Sequence, residues 1–302
     1  MEKQLKNAGN GADVFINTLN ELGIDRIFLN PGIDLVPIMA AVGRHSESGK
    51  KAPRIILCTD ESVAVAAAHG YAMVSGKPQV VAVFEDIGTL QGGGAIVNLQ
   101  YGRIPVIICA GRNQTQERLN WLEEPFDQRR IVRDYMKWDN DVSSTDDIAF
   151  VLRQAYDIAS TEPCGPVYLT LSRDNLMGKS GESKVEAPIT THKASSSETD
   201  VNVLEAASEL LINSGNPLIM TAYLGRNTES VSQLVSLAEA LAARVITTDL
   251  RMNFPSSHPL CPGIDCIKGD SYDHYIAEAD VILLIDYNFP GPLGKRFEPK
   301  PD

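Results

Sequence analysis

No apolar run in this sequence approaches the roughly 20 residues that a membrane-spanning helix needs. The opening stretch, Met1 to Asn7, carries no apolar core of the kind a signal peptide has. Basic charge is scarce as well: 27 Lys and Arg stand against 39 Asp and Glu, a formal net charge of -12. That sign repels phosphate backbones and anionic lipid, and no basic stripe offsets it. Membranes and nucleic acid therefore drop out as expected partners, and the expected location is the cytoplasm. Paired cysteines are missing too. The five cysteines are scattered, and Cys58 and Cys109 lie in short apolar runs where Cys acts as a small hydrophobe. Cys261 and Cys266 are the one close pair, with no His or second pair to complete a zinc site. No metal ligands are assigned within the chain, and the thiols are expected to be reduced.

What is present is an ordinary globular composition, 43% hydrophobic and 22% charged, over 302 residues, enough for two domains. Strand-like and helix-like segments alternate, which predicts parallel α/β layers. Val14, Phe15, Leu19 and Leu22 share one helical face, and Gly23 stops it. A short strand, Ile27-Phe28-Leu29, meets the breaker Asn30-Pro31-Gly32, and Leu35, Ile38, Met39 and Val42 form the next helical stripe. Ile55-Ile56-Leu57 reads as a strand, and Glu61 to Val74 as an alanine-rich helix closed by Gly76 and Pro78. Val80–Phe84 and Pro105–Cys109 read as buried strands separated by a glycine-rich turn and helix. A helix around Ile148 to Ala159 and the strand Val167 to Thr170 complete the first domain.

The expected fold is α/β, with two doubly wound parallel-sheet domains. The first covers residues 1–178, and a Ser-, Thr- and Gly-rich linker covers 179–199. The second, residues 200–302, has strands at Leu218–Met220, Val245–Thr247 and Val281–Ile285 and helices at Val231–Ala243 and Tyr272–Ala279. Three strands make a small sheet, so the second domain is expected to be incomplete.

Glu61 follows a buried strand and opens an apolar helix. A carboxylate there is favoured by the helix dipole alone, by a few tenths to about 1 kcal/mol. Asp60 could equally do the capping and leave Glu61 free, and α/β proteins place ligands where a strand ends and a helix starts. The second candidate is Phe84-Glu85-Asp86-Ile87-Gly88-Thr89-Leu90-Gln91-Gly92-Gly93-Gly94, whose glycines let the backbone approach a ligand or simply make a tight turn.

Taken together, these strings resemble one family. Thr59-Asp60-Glu61-Ser62, His69-Gly70-Tyr71-Ala72 and Ser75-Gly76-Lys77-Pro78 are similar to the N-terminal domain of thiamine diphosphate-dependent decarboxylases and acetolactate synthases. So are Phe28-Leu29-Asn30-Pro31-Gly32, Ile104-Pro105-Val106-Ile107 and Gly165-Pro166-Val167-Tyr168. Asn216-Pro217-Leu218-Ile219, Thr247-Thr248 and His258-Pro259-Leu260 resemble the central domain of the same enzymes.

The resemblance implies thiamine diphosphate as cofactor, with Glu61 hydrogen-bonding N1′ of the aminopyrimidine. That contact favours the 4′-imino form, which removes the thiazolium C2 proton before attack on a 2-keto acid. It implies Pro31, Gly32, Gly88 and Thr89 as further cofactor contacts, and Ile33, Asp86, Gln91 and Gln128 as substrate-pocket residues. Asp86 and Gln91 depart from many relatives, which carry a histidine or small residue and an asparagine there. A carboxylate at Asp86 would steady the thiazolium yet repel a keto acid, unless it points away to cap the next helix.

A diphosphate site needs Gly-Asp-Gly or Gly-Asp-Ser and a later asparagine holding Mg2+. Gly269-Asp270-Ser271 matches only the triplet, so diphosphate and metal are expected on a C-terminal domain that this chain lacks. The expectation is the N-terminal portion of a 2-keto acid decarboxylase or carboligase, inactive alone and working as a homodimer or homotetramer. The alternative is a split-subunit or non-catalytic homologue that serves assembly or regulation. FAD on Gly225-Arg226-Asn227 is not favoured.

Overall fold

The computed structural model describes residues 9–114, 127–180, 200–248, 251–262, 264–265 and 273–287. Gly269-Asp270-Ser271, Cys266 and all but the first two residues of the expected linker lie outside them. The chain divides into two compact units, Met1–Ala194 and Ser195–Asp302.

The first unit opens with α1 (Gly11–Glu21). Its N-cap Asn10 and Asp13 exchange side-chain bonds to each other's backbone N–H, both at 3.1 Å, which satisfies two donors that the helix leaves open. Phe15, Ile16 and Leu19 fall on one face of α1 and are fully buried, each worth roughly 1.5–3 kcal/mol of apolar transfer. Strands β1 (Arg26–Leu29), β2 (Arg54–Leu57), β3 (Gln79–Val83), β4 (Val106–Arg112), β5 (Trp138–Asp141) and β6 (Val167–Ser172) form one parallel sheet in the order β2-β1-β3-β4-β6-β5.

Between the strands run α2 (Val36–Glu47), α3 (Glu61–Ser75), α4 (Glu85–Gln91), α5 (Gly93–Tyr101) and α6 (Ile148–Ser160), and α7 (Arg173–Met177) follows β6. One core joins α1, α2 and α6 to one face of the sheet through Phe15, Leu19, Ile38 and Leu152. A second joins α3 and α5 to the other face through Val65, Ala68, Ile96 and Leu99. Layers on both faces leave β3, β4 and β6 buried along their whole length, and they are mostly apolar without a regular polar alternation.

The second unit contains α8 (Val201–Asn213), β7 (Pro217–Thr221), α9 (Thr228–Leu241), β8 (Arg244–Thr248), β9 (Ile264–Asp265), α10 (Asp273–Glu278) and β10 (Val281–Ile285). Its smaller parallel sheet has the order β10-β7-β8-β9. The three strands expected there become four, because the two-residue β9 pairs with the end of β8. The glycine-rich segment also differs from expectation. Residues 85–101 form two helices broken at Gly92, and Gly88 and Thr89 lie inside the first of them.

Among the described residues no helix is long and apolar enough to cross a membrane. Cys58 and Cys109 are buried free thiols, and burial pushes both above the usual thiol range.

Candidate functional site

In the larger sheet β1 lies between β2 and β3, so the connections after β1 and β3, to β2 and to β4, run in opposite directions. The crevice beyond the carboxyl ends of such strands is where open α/β sheets bind ligands. The loop after β1 carries Pro31, Gly32 and Ile33; the turn after β2 leads into Glu61; the turn after β3 leads into Asp86, Gly88, Thr89 and Gln91. Sequence-distant candidates thus share one crevice because the strand order brings three loops together.

Asp60 is the N-cap of α3 and accepts from the Ser62 N–H at 2.8 Å. Those bonds from Ser62, with a third from Gln91, hold its carboxyl below the usual carboxylate range. Glu61 is thereby freed from capping. It is 9% exposed and makes no hydrogen bond or ion pair among the described residues. Gly88 faces it directly: a Cβ there would stand 2.6 Å from Glu61 Oε1 and 3.2 Å from Cδ. Only glycine lets α4 approach the carboxylate this closely.

The neighbouring side chains are more engaged. The buried Thr89 hydroxyl donates to the Glu85 carbonyl at 2.7 Å and meets the Tyr168 hydroxyl at 2.7 Å. Gln128 is fully buried, and its amide donates to Tyr168 Oη at 3.0 Å and to the Gly111 carbonyl at 3.3 Å. Burial raises the Tyr168 phenol above its ordinary range, and the charge of Asp86 adds to the rise. Asp86 is half-buried and does not cap α4, whose N-cap Phe84 has no side-chain bond. Gln91 is exposed and donates to Asp60 Oδ2 at 3.1 Å, tying α4 to α3. Ile33 is exposed at the mouth of the crevice.

Asp34 was not among the sequence candidates, yet it lies at the centre of the loops. It is completely buried beside Gly32 and Gly111, and its Oδ2 accepts the Glu85 N–H at 3.3 Å. Its Oδ1 is buried without a hydrogen-bond partner. Burial pushes its carboxyl up to about 6, against the pull of the Glu85 and Leu35 amides and the charge of Arg173.

A raised carboxyl pKa means that the folded protein keeps a proton which the unfolded chain has released. The stability contributed by this proton is full below the unfolded value of 3.8 and is lost as pH rises through about 6. The ionised form costs on the order of 3 kcal/mol, from about two pKa units at 1.36 kcal/mol each. Asp34→Asn is therefore expected to unfold at higher urea than wild type at about pH 7.5, with the gap closing towards about pH 4. An unchanged gap across that range would rule out Asp34 as the group responsible.

Gly225 in the second unit is explained by packing: a Cβ there would lie 2.3 Å from the Met252 carbonyl, and its N–H is held by Asn253 Oδ1 at 2.9 Å. Arg226 is ion-paired with Asp286, across the ends of β7 and β10. Among the described residues no group of three or more His, Cys, Asp or Glu is placed to hold a metal ion.

The first unit is thus a doubly wound domain with a carboxylate left open at its ligand crevice. Residues 9–131 match the family described as "Thiamine pyrophosphate enzyme, N-terminal TPP binding domain", which supports a thiamine diphosphate-dependent enzyme family for this chain. It is 27% identical over 270 residues to a benzoylformate decarboxylase of Pseudomonas aeruginosa, covering 88% of this chain and 50% of that one. It is 26% identical over 300 residues to the acetolactate synthase large subunit of Lactococcus lactis subsp. lactis, covering 98% and 49%. The fold matches a thiamine diphosphate-dependent 4-hydroxybenzoylformate decarboxylase of Rhodococcus jostii RHA1 with a TM-score of 0.79 at 21% identity, over 92% of this chain and 52% of that one. The chain spans about half the length of the curated relatives it matches.

Proposed function

We propose that the chain supplies the aminopyrimidine-binding part of a thiamine diphosphate-dependent 2-keto acid decarboxylase or carboligase, with Glu61 as the carboxylate that activates the cofactor. One observation carries this reading. Glu61 is a nearly buried acceptor with no hydrogen-bond partner among the described residues, facing a backbone position that has no side chain. A carboxylate placed in this way is open to a ligand donor, and a protonated ring nitrogen is such a donor.

When bound, thiamine diphosphate supplies the electron sink for cleavage beside a carbonyl. Glu61 would hold the proton at N1′ of the pyrimidine. Pro31, Gly32, Gly88 and Thr89 would wall the ring, and Ile33, Asp86, Gln91 and Gln128 would lie towards the substrate. The diphosphate and its Mg2+ are assigned to a further domain or to a partner chain. The relatives named for benzoylformate and acetolactate chemistry support a 2-keto acid substrate.

A homo-oligomer is part of the same reading. Ile33, Leu57, Val63, Ile87 and Leu90 are all well exposed around the carboxyl end of the sheet and the start of α3 and α4. A monomer rarely leaves such apolar surface in water. A second reading, a homologue serving assembly or regulation, is favoured by the engagement of Thr89 and Gln91 with protein partners rather than with open space.

The test uses the protein purified from its natural source. An intact mass about twice 32.8 kDa, or a co-purifying chain, with CO2 release from benzoylformate or pyruvate that requires thiamine diphosphate and Mg2+, supports the enzyme reading. A lone chain that neither binds the cofactor nor releases CO2 supports the second.

A further inference from the structure

A buried carboxylate with an open oxygen is costly to keep, so its surroundings should reveal what it holds in place. Two glycines make room for Asp34, and one of them, Gly32, makes room for the Phe84 ring as well. A Cβ at Gly32 would stand 2.5 Å from Asp34 Oδ1, and one at Gly111 would stand 1.4 Å from Oδ2. The same Oδ2 accepts the N–H of Glu85, which starts α4 with φ 39, in the left-handed region that side chains disfavour. Glu85 is itself buried, so solvent gives this turn little support. From it the next bonds run inward: Gly88 N–H to the Phe84 carbonyl at 2.6 Å, and the Thr89 hydroxyl to the Glu85 carbonyl at 2.7 Å. The turn of α4 that these bonds fix presents Gly88 to the Glu61 carboxylate.

We infer that Asp34 is a positioning residue: by holding the Glu85 N–H it fixes the left-handed start of α4, and through α4 it sets Gly88 against Glu61. The functional half of this inference rests on the proposed role of Glu61. The structural half does not. Asp34 has no hydrogen bond to Glu61 among the described residues, and its bond to the Glu85 N–H is the link that runs through α4 to Gly88.

Backbone hydrogen exchange of the 302-residue chain tests it, read by mass spectrometry on fragments that cover residues 85–91 and, as a reference, residues 11–21. Asp34→Ala removes the acceptor and is expected to accelerate exchange in α4 by about tenfold or more, relative to α1 in the same molecule. Asp34→Asn keeps an acceptor oxygen without the charge and is expected to restore wild-type exchange in α4. Unchanged α4 exchange in Asp34→Ala overturns the inference. So does α4 exchange in Asp34→Asn that is faster than wild type, an outcome that remains readable even if Asp34→Ala does not fold. Neither readout depends on turnover, so loss of the Glu61 reading would leave the result standing, and its failure would leave Glu61 untouched.

Discussion

Glu61→Gln is expected to fold like the wild type and to lose turnover by roughly 10²–10⁴-fold in the assembled enzyme, the usual span for removing one positioned proton-transfer group. The change is isosteric, so the close seat of the side chain against Gly88 is preserved and no cavity opens. What it removes is the negative charge and the ability to hold a proton at a ring nitrogen. The stability loss is bounded by the helix dipole, a few tenths to about 1 kcal/mol, because the first turn of α3 is capped by Asp60 and not by Glu61. Asp60→Ala is the counterpart: it removes the cap and the tie to Gln91, and should lower stability while leaving the Glu61 carboxylate in place. The two variants therefore separate the roles that adjacent acids could share. A Glu61→Gln protein with full turnover and a large fall in unfolding midpoint would show that Glu61 acts only as structure.

That division between Asp60 and Glu61 was visible in the sequence only as a pair of alternatives. The apolar strands and the helical stripes of α1, α2 and α6 were legible because burial on a fixed period leaves a plain signal in residue order. Two elements left none. Strand β5, Trp138-Asp139-Asn140-Asp141, is an edge strand, paired only with β6, so nothing required it to be apolar. Strand β9 is only two residues long. Helix α8 is a different case: Val203, Ala207, Leu210 and Leu211 stand at helical spacing, yet none of its residues is buried. The glycines at 88 and 92–94 signalled close approach, but not that a helix break at Gly92 would put Gly88 inside α4.

For the candidate site, the residues that the backbone carries into the crevice were readable from motif strings. Those fixed by tertiary contact were not. Asp34 has a meaning only beside Gly111 and Glu85, partners far from it in sequence, and nothing local in Pro31-Gly32-Ile33-Asp34 distinguishes a buried carboxylate from a solvated helix start. Gln91, given to the pocket by the family resemblance, donates its amide to Asp60, a tie between α4 and α3 that no local pattern shows.

The contact between Gly111 and Asp34 gives the largest stability effect expected in the first unit. Gly111 is buried in β4, a strand paired on both sides, where it sits opposite Leu171 of β6. Its backbone is not left-handed, so alanine costs nothing in conformation and the whole effect is steric. The new Cβ would lie 1.4 Å from Asp34 Oδ2, 2.3 Å from Cγ and 2.8 Å from Cβ. The carboxylate cannot yield without releasing the Glu85 N–H, and β4 cannot yield without disturbing two ladders. Gly111→Ala should therefore cost about 3 kcal/mol or more in urea unfolding, at or beyond the upper end for overpacking.

Because one side chain causes the clash, shrinking it should relieve it. Gly111→Ala is expected to cost less in an Asp34→Ala background by more than about 1 kcal/mol, a coupling well outside additivity. Relief should be incomplete, since the Asp34 Cβ would still stand 2.8 Å away, and Asp34→Gly should relieve more. Gly32→Ala provides the contrast: its Cβ would strike the Phe84 ring at 2.3 Å as well as Asp34 Oδ1, so truncating Asp34 should rescue it only in part. Additive costs for Gly111→Ala and Asp34→Ala would mean that something other than the carboxylate requires glycine at 111. The tight seat assigned to Asp34 would then have lost its main support.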